Sequence, residues 1–265
     1  MKIHGTAKGG ALSKKDFGVA FGGGGGGAAI NDADLKSYWK FNEASGDILN
    51  SSESDESLGS GAALQVTGAA YKDGSPPVGN SMHFDGVNDF ALAGSSLSQF
   101  VFLHDVGAKW SQVWWAKWGE LTGDRVFGTM STGAGYRMRA ESNGSFEVAM
   151  NNAAGQAITS GNNTSTNYVP AINTWYFFCF RWDQTLSDSQ NFKFRRNDDN
   201  TEYLAKTGNT PTDDDAEDPA TFAKEAGAAA NYDNVYLSEF SCWDKILSAE
   251  DETSLYNSGN GLEIY

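Results

Sequence analysis

The chain has 265 residues, of which 40% are hydrophobic and 13% aromatic, so it can build one large β-sandwich or two small domains. Its formal net charge of −15 repels nucleic-acid phosphates and disfavours DNA or RNA binding by the body of the protein. No stretch approaches the roughly 18 apolar residues of a membrane span, so we expect no membrane insertion.

The N-terminal segment differs from the rest of the chain in charge and composition. Its four lysines face a single aspartate, a net charge of +3, and six consecutive glycines follow at 22–27. A glycine run has no side chains to pack and a high ordering cost, which is typical of a flexible tether. We predict a docking arm and tether over 1–30 and one folded domain over 31–265. No Sec-type signal peptide is expected, because the lysines are not followed by an apolar stretch.

Beyond the tether, short apolar runs alternate with turn residues, the pattern of an all-β protein. The candidate strands are 35–41, 81–84, 89–93, 112–118, 125–129, 136–140, 146–150, 175–182, 191–195 and 235–243. Ser248, followed three residues later by Asp251, predicts the start of a short helix that Gly259 can end. The apolar runs around Cys179 and Cys242 favour buried free thiols over a disulfide.

Several segments, in order along the chain, resemble those of laminin-G-like and concanavalin-like jelly rolls. They are YWKFNEASG at 38–46, MHFDGVNDF at 82–90, WAK at 115–117, NTWYFF at 173–178, and LSEF at 237–240 with ILSAE at 246–250 and LY at 255–256. The resemblance implies an all-β fold, a two-sheet antiparallel jelly-roll sandwich with an extended N-terminal arm, whose chain ends lie on neighbouring strands.

The first 21 residues, MKIHGTAKGGALSKKDFGVAF, are similar to the starts of structural proteins from tailed bacteriophages. This second resemblance implies a virion protein that is made in the host cytoplasm and released by lysis, which needs no export signal. Such a protein would be present in many copies or as a homo-oligomer, with its arm docked onto other virion proteins. The candidate docking residues are Lys2, Lys8, Lys14, Lys15, Phe17 and Phe21.

A tryptophan-rich strand supplies the candidate carbohydrate site. By strand alternation, Trp110, Trp114 and Trp118 share one face, while Trp115 shares the other with Val113. The jelly-roll resemblance puts Trp115 in the core. The face with three tryptophans is therefore predicted to be an exposed aromatic platform for a sugar ring, or to contact covering loops.

Calcium is the candidate metal. Asp85, Asn88 and Asp89 place three oxygen-bearing side chains in one tight turn, and calcium prefers carboxylate, amide and carbonyl oxygens. Alternatively, Asp85 and Asn88 only cap the turn through hydrogen bonds to the backbone.

Catalytic motifs are weak. Retaining glucanases of the concanavalin-like fold usually carry a Glu-x-Asp-x-Glu motif on one strand, and this sequence lacks that motif. The acidic pairs at the ends of 141–147 and 233–239 are spaced more widely. No serine lies in a strand-turn-helix elbow, no His/Cys cluster has zinc spacing, and the strand pattern around His83 favours a packed or edge position over a catalytic base.

These observations predict a non-enzymatic phage virion structural protein, either a decoration protein or one associated with the tail or fibre. Its jelly roll would serve adhesion or recognition of host-surface glycans. The first alternative is a secreted or cell-surface lectin module, and the second is a glycoside hydrolase of concanavalin-like fold.

Overall fold

The computed structural model describes residues 30, 34–43, 58, 64–68, 70–71, 74–94, 96–121, 125–131, 133–140, 142, 146–151, 157–159, 170–187, 191–197 and 215–264. The strands of these residues are β1 (Leu35–Trp39), β2 (Leu64–Thr67), β3 (Ala70–Tyr71), β4 (Met82–Asp85), β5 (Phe90–Ala93), β6 (Lys109–Trp118), β7 (Arg125–Gly128), β8 (Gly135–Ala140), β9 (Phe146–Asn151), β10 (Ala157–Thr159), β11 (Tyr176–Asp183), β12 (Phe192–Arg196), β13 (Ala220–Phe222) and β14 (Asn234–Trp243). The helix α1 is Ala249–Tyr256, and 3₁₀ turns lie at Val101–Leu103 and Asn257–Gly259.

The described strands form two antiparallel sheets. Sheet A has the order β12-β11-β6-β14-β4-β3, and β1 also pairs with β14. Sheet B has the order β10-β9-β8-β7-β13-β5-β2. Aromatic rings from the two sheets pack in the core between them. The ring centroid of Phe240 in sheet A lies 4.8 Å from that of Phe222 and 5.3 Å from that of Phe127, both in sheet B. The predicted two-sheet antiparallel sandwich is confirmed.

Strand β14 changes partner along its length. One edge pairs with β6, while the other pairs first with β4 through 234–237 and then with β1 through 240–243. The register with β6 shifts between Ser238 and Ser241, and Glu239 in this bulge has a φ of 53°. A left-handed backbone at a residue with a side chain costs on the order of 1 kcal/mol, so the surrounding contacts must hold this bulge in place.

All ten predicted strands are present, with boundaries that differ by three residues or fewer. The strands that were not predicted are β2, which has four residues, and β3, β10 and β13, which have two or three residues and are too short to show alternation. The predicted cap of α1 is also confirmed, since Ser248 and Asp251 form a capping box. The helix ends at left-handed Asn257, before Gly259, because asparagine also tolerates that conformation.

The predicted face for the tryptophans of β6 is wrong. The alternation is as expected, but Trp110, Trp114 and Trp118 are each 0% exposed and lie between the sheets. Trp115 is also buried, but on the outer face of sheet A. Alternation groups residues by face without saying which face meets the second sheet. The face with three indoles has the larger apolar area to remove from water, and it is the inner one.

A second apolar cluster covers the middle of the outer face of sheet A. Leu255 of α1 packs there with Trp115 and Phe177, and the ring of Tyr256 stacks 6.0 Å from that of Trp115. The carboxylate of Glu252 binds sheet A as well, with its Oε1 2.8 Å from Nε of Arg181 on β11. Helix α1 therefore closes a second, smaller core against the sheet.

The predicted arm, its tether and the docking residues Lys2, Lys8, Lys14, Lys15, Phe17 and Phe21 lie outside the described residues, so the boundary near residue 30 and the docking role stay predictions. Cys179 and Cys242 are buried free thiols, as predicted. In the described part of the chain, the helices are too short and too polar to cross a lipid bilayer.

Candidate functional site

The predicted calcium turn connects β4 to β5. Oδ1 of Asp85 accepts hydrogen bonds from the backbone N–H groups of Val87 (2.8 Å) and Asn88 (3.3 Å), and the bond from Val87 is the main reason why the pKa of Asp85 is lowered. Oδ2 of Asp89 accepts from the backbone N–H of Asp85 at 3.2 Å. These carboxylate oxygens face N–H donors, which is the arrangement that the turn-capping alternative predicts.

Calcium binding requires six to eight oxygen ligands, and the turn offers its carboxylates mainly to the backbone. Over the residues that the structure covers, no three His, Cys, Asp or Glu side chains are grouped so that they could hold a metal ion. The oxygens of Asp85, Asn88 and Asp89 therefore fit the turn better than a calcium site, and we assign no chemistry to a metal there.

A different group of side chains forms a line across the outer face of sheet A, beside the part that α1 covers. We call His83, Tyr236, Lys117 and Trp175 the aromatic row. Tyr236 of β14 is the register partner of His83 on β4 and of Lys117 on β6. Trp175 directly precedes β11, whose first residue pairs with the neighbour of Lys117. Each of the four side chains is partly exposed.

The members of the row contact one another closely. The rings of His83 and Tyr236 stack with their centroids 4.1 Å apart, and Nζ of Lys117 lies 4.0 Å from the centroid of Tyr236. The same Nζ lies 5.4 Å from the indole of Trp175, which meets Tyr236 edge to face at 6.3 Å. Cation–π and ring contacts of this kind fix side-chain orientation and add about 0.5–1.5 kcal/mol each. The row is thus a preorganised surface.

One backbone carbonyl anchors one end of the row. The carbonyl oxygen of Gly74 accepts from Nζ of Lys117 at 3.0 Å and from Nε1 of Trp175 at 2.9 Å. A Cβ at residue 74 would lie 2.7 Å from the Tyr236 ring, so only glycine lets the backbone approach the row this closely. The backbone N–H of Gly74 is held in turn by Oγ of Ser81 at 3.1 Å.

An amide lies at the other end. Nε2 of His83 donates to Oδ1 of Asn234 at 3.1 Å, which orients both side chains. A Cβ at residue 119 would lie 2.4 Å from the same Oδ1, so Gly119 leaves the space that this amide occupies. The row therefore combines aromatic rings, a cation and an amide, the groups that recognise the C–H faces, charges and hydroxyls of sugars.

A buried carboxyl group lies at the bulge of β14. Glu239 is 5% exposed, and its Oε2 accepts a hydrogen bond from the hydroxyl of Tyr38, which accepts from the backbone N–H of Ile264 at 3.1 Å. The pKa of Glu239 is raised to about 8, mainly by burial and in part by the nearby carboxylate of Glu263. Burial is also the main cause of the raised pKa of Tyr38. Glu239 is therefore protonated at neutral pH.

Glu239 and Glu263 place two carboxyl groups close to each other. Both Oε1 atoms point toward Gly79, where a Cβ would lie 3.0 Å from Glu239 and 3.6 Å from Glu263. The cavity beside Glu239 has a volume of only about 10 Å³, the size of one water. A glycosidic bond cannot enter such a space, so this geometry does not fit the two-carboxylate mechanism of glycoside hydrolysis.

The aromatic row could not be predicted from the sequence. Its members are far apart in the chain, and each alone resembles an ordinary strand residue. His83 was expected to be a packed or edge residue, which agrees with its partly exposed position on β4. Only the pairing of β4, β14, β6 and β11 brings the four side chains together, and strand register cannot be read from one sequence.

No protein-family model matches this chain, and no curated protein sequence matches it. Among solved structures, it is similar to Trypanosoma rangeli sialidase bound to 2,3-difluoro-KDN, with a TM-score of 0.58 and 15% identity over 91% of this chain and 36% of that one. The same sialidase with sialic acid gives a TM-score of 0.57 and 14% identity, covering 90% and 35%. The binding domain of botulinum neurotoxin DC in complex with SialylT gives 0.56 and 13%, covering 86% and 52%.

The chain therefore spans about a third of the sialidase and about half of the toxin binding domain. At these levels of identity the similarity concerns the fold alone. By both its own topology and its structural neighbours, the chain is an all-β sandwich.

Proposed function

We propose that this β-sandwich is a non-catalytic module that recognises carbohydrate through the aromatic row. The observation that carries the proposal is the row itself: the side chains of His83, Tyr236, Lys117 and Trp175 are partly exposed and contact one another across the outer face of sheet A. Partly exposed rings that are held by defined contacts can meet a sugar with little loss of side-chain entropy.

The structural neighbours support the same class of ligand. The sialidase structure contains sialic acid, and the toxin binding domain is described in complex with SialylT. In this chain, Lys117 supplies a cation on the row of a protein whose net charge is −15. A sugar with a carboxylate would be attracted to that cation at short range, although the overall charge of the protein opposes its approach.

A glycan array with the full chain tests this proposal. We expect saturable binding, and Trp175→Ala and Tyr236→Ala should each weaken it by about tenfold, equivalent to about 1.4 kcal/mol. Tyr232→Ala is the matched control, because Tyr232 is also partly exposed and has a cation, Lys224, 5.6 Å from its ring. Its effect should stay below about twofold. Binding that the row variants leave unchanged, or no binding to any glycan, would contradict the proposal.

We propose no bond-breaking step, since the cavity that Glu239 lines is no larger than one water. A carbohydrate-binding module should release no reducing sugar from the glycans that it binds. Turnover that survives Trp175→Ala but is lost in Glu239→Gln would instead favour the hydrolase alternative.

For the setting of the module, we propose display on a phage particle through the lysine-bearing arm, as the resemblance of the first 21 residues implies. Removing residues 1–21 should abolish incorporation into particles without unfolding the sandwich, measured by the protein content of purified virions and by thermal unfolding. Particles that still carry the truncated protein would exclude docking by the arm. The secreted or cell-surface lectin alternative then remains, with glycan binding unaffected.

A further inference from the structure

The outer face of sheet A has a second recess, at the end of β11 that lies opposite Trp175. It is a cleft of about 90 Å³ lined by Arg181, Asp183, Leu186, Asn191, Lys193 and Ile246. Along β11, outward-facing residues pass from Trp175 in the row, through Phe177 and Cys179 under α1, to Arg181 and Asp183 in the cleft. Helix α1 therefore separates the cleft from the aromatic row. The volume suits a small substituent and not a whole sugar ring.

Among the described residues, one polar atom of the cleft has no hydrogen-bond partner. Asn191 is 4% exposed, and its Oδ1 is buried with no hydrogen bond to any described residue. A buried acceptor without a donor typically lowers folding stability by about 1–3 kcal/mol. A ligand that donates a hydrogen bond to it would recover that free energy. By contrast, Asp183 is already satisfied by Lys109 at 3.0 Å and by the hydroxyl of Thr185 at 2.6 Å.

The remaining walls have two characters. Leu186 and Ile246 are 43% and 36% exposed, which gives the cleft an apolar rim. Lys193 and Arg181 contribute N–H donors, although Arg181 also pairs with Glu252 of α1 at 2.8 Å. A complementary ligand needs one N–H donor, one acceptor and a small apolar group.

We propose that this cleft binds the acetamido group of an N-acetylated sugar. Its N–H would donate to Oδ1 of Asn191, its carbonyl would accept from Lys193, and its methyl group would contact Leu186 and Ile246. Plain hydroxyls would leave the apolar rim uncovered, and a simple alkyl group would leave Asn191 unsatisfied. The inference rests on the proposed function for its choice of a sugar as the carrier, but the cleft and the row are separate sites.

Saturation-transfer NMR of the full chain, with N-acetylglucosamine and glucose as probes, tests the proposal. The acetyl methyl should receive the strongest saturation, and glucose should bind at least about tenfold more weakly, since it lacks the group that covers the rim. Asn191→Ala should reduce affinity by about fivefold, whereas Asn191→Asp should retain more of it by keeping an acceptor. Ile246→Asp, at an exposed position, provides a variant that does not depend on a buried site.

The control is Leu97→Asp, which changes a similarly exposed apolar residue outside the cleft and should leave affinity within about twofold. Equal binding of the two sugars, or unchanged binding in both Asn191→Ala and Ile246→Asp, would overturn the cleft proposal. Loss of binding in Trp175→Ala alone would also overturn it while leaving carbohydrate recognition by the row intact. An acetyl-lysine peptide that binds where N-acetylglucosamine does not would overturn the assignment to a sugar.

Discussion

Strand β6 presents tryptophans to two different environments. On its inner face, Trp110, Trp114 and Trp118 lie wholly between the sheets. On its outer face, Trp115 lies beneath α1, and two residues further along Lys117 belongs to the partly exposed aromatic row. The second sheet covers one face completely, whereas a helix of eight residues covers only the middle of the other. We therefore expect binding surfaces on the parts of the outer face of sheet A that α1 does not cover.

Among these changes, replacing a buried indole of the inner face should destabilise the protein most. Trp114 packs against Phe180 at 4.7 Å and against Phe178 at 5.3 Å, so Trp114→Ala should lower the free energy of unfolding by about 4 kcal/mol through lost burial and a cavity. Trp175→Ala, on the outer face, should cost less than about 1.5 kcal/mol. Urea denaturation of both variants measures the difference. Equal losses would contradict the contrast between the two faces.

The next largest effect concerns Glu239, the buried carboxyl group at the bulge of β14. The pKa of Glu239 is raised to about 8 in the folded protein, above its value near 4.5 in the unfolded chain, so folding favours the protonated form. The stability from this group is full below about pH 4.5 and is lost as the pH rises to about 8. Glu239→Gln cannot ionise and should remove this dependence, with a gain on the order of 5 kcal/mol over the native chain at pH 9.

Unfolding curves of both proteins at pH 5 and pH 9 check this prediction. The groups that face Glu239 are Tyr38, Glu263, Lys40 and Glu43, and the Lys40–Glu263 pair at 3.1 Å is present in both proteins. Glu263→Gln is the control, because its side chain is 40% exposed and its removal should change the pH dependence much less. Parallel pH profiles for the native chain and Glu239→Gln would show that Glu239 is ionised when folded.

The smallest effect concerns the attachment of α1 to the outer face of sheet A. Glu252 is 2% exposed and binds Arg181 at 2.8 Å and Arg195 at 3.7 Å, so Glu252→Gln should weaken the attachment of α1 by about 1–2 kcal/mol. Glu250→Gln changes an exposed carboxylate on the same helix and should cost less than about 0.5 kcal/mol. Hydrogen exchange of the α1 amides measures both. Equal protection in the two variants would mean that the ion pairs do not hold the helix.

Much of the sandwich could be predicted from local sequence. The ten predicted strands follow from alternation along each segment. The cap of α1 follows from Ser248 and Asp251, which are three residues apart. The short strands β3 and β13 could not, because two or three residues show no period and pair only when their neighbours are in place. The turn at Asp85 also followed from its own residues, since its carboxylate accepts from the N–H groups of Val87 and Asn88, two and three residues further along the chain.

Local sequence was enough to predict the alternation within each strand, and with it the grouping of Trp110, Trp114 and Trp118 on one face. Three features depend on the folded chain as a whole: which face meets the second sheet, the cover of α1 over Trp115, and the row formed by His83, Tyr236, Lys117 and Trp175. The reason is physical: a side chain's direction is set by its own backbone, but its neighbours across a sheet are set by register, and register depends on the total burial that the whole chain achieves.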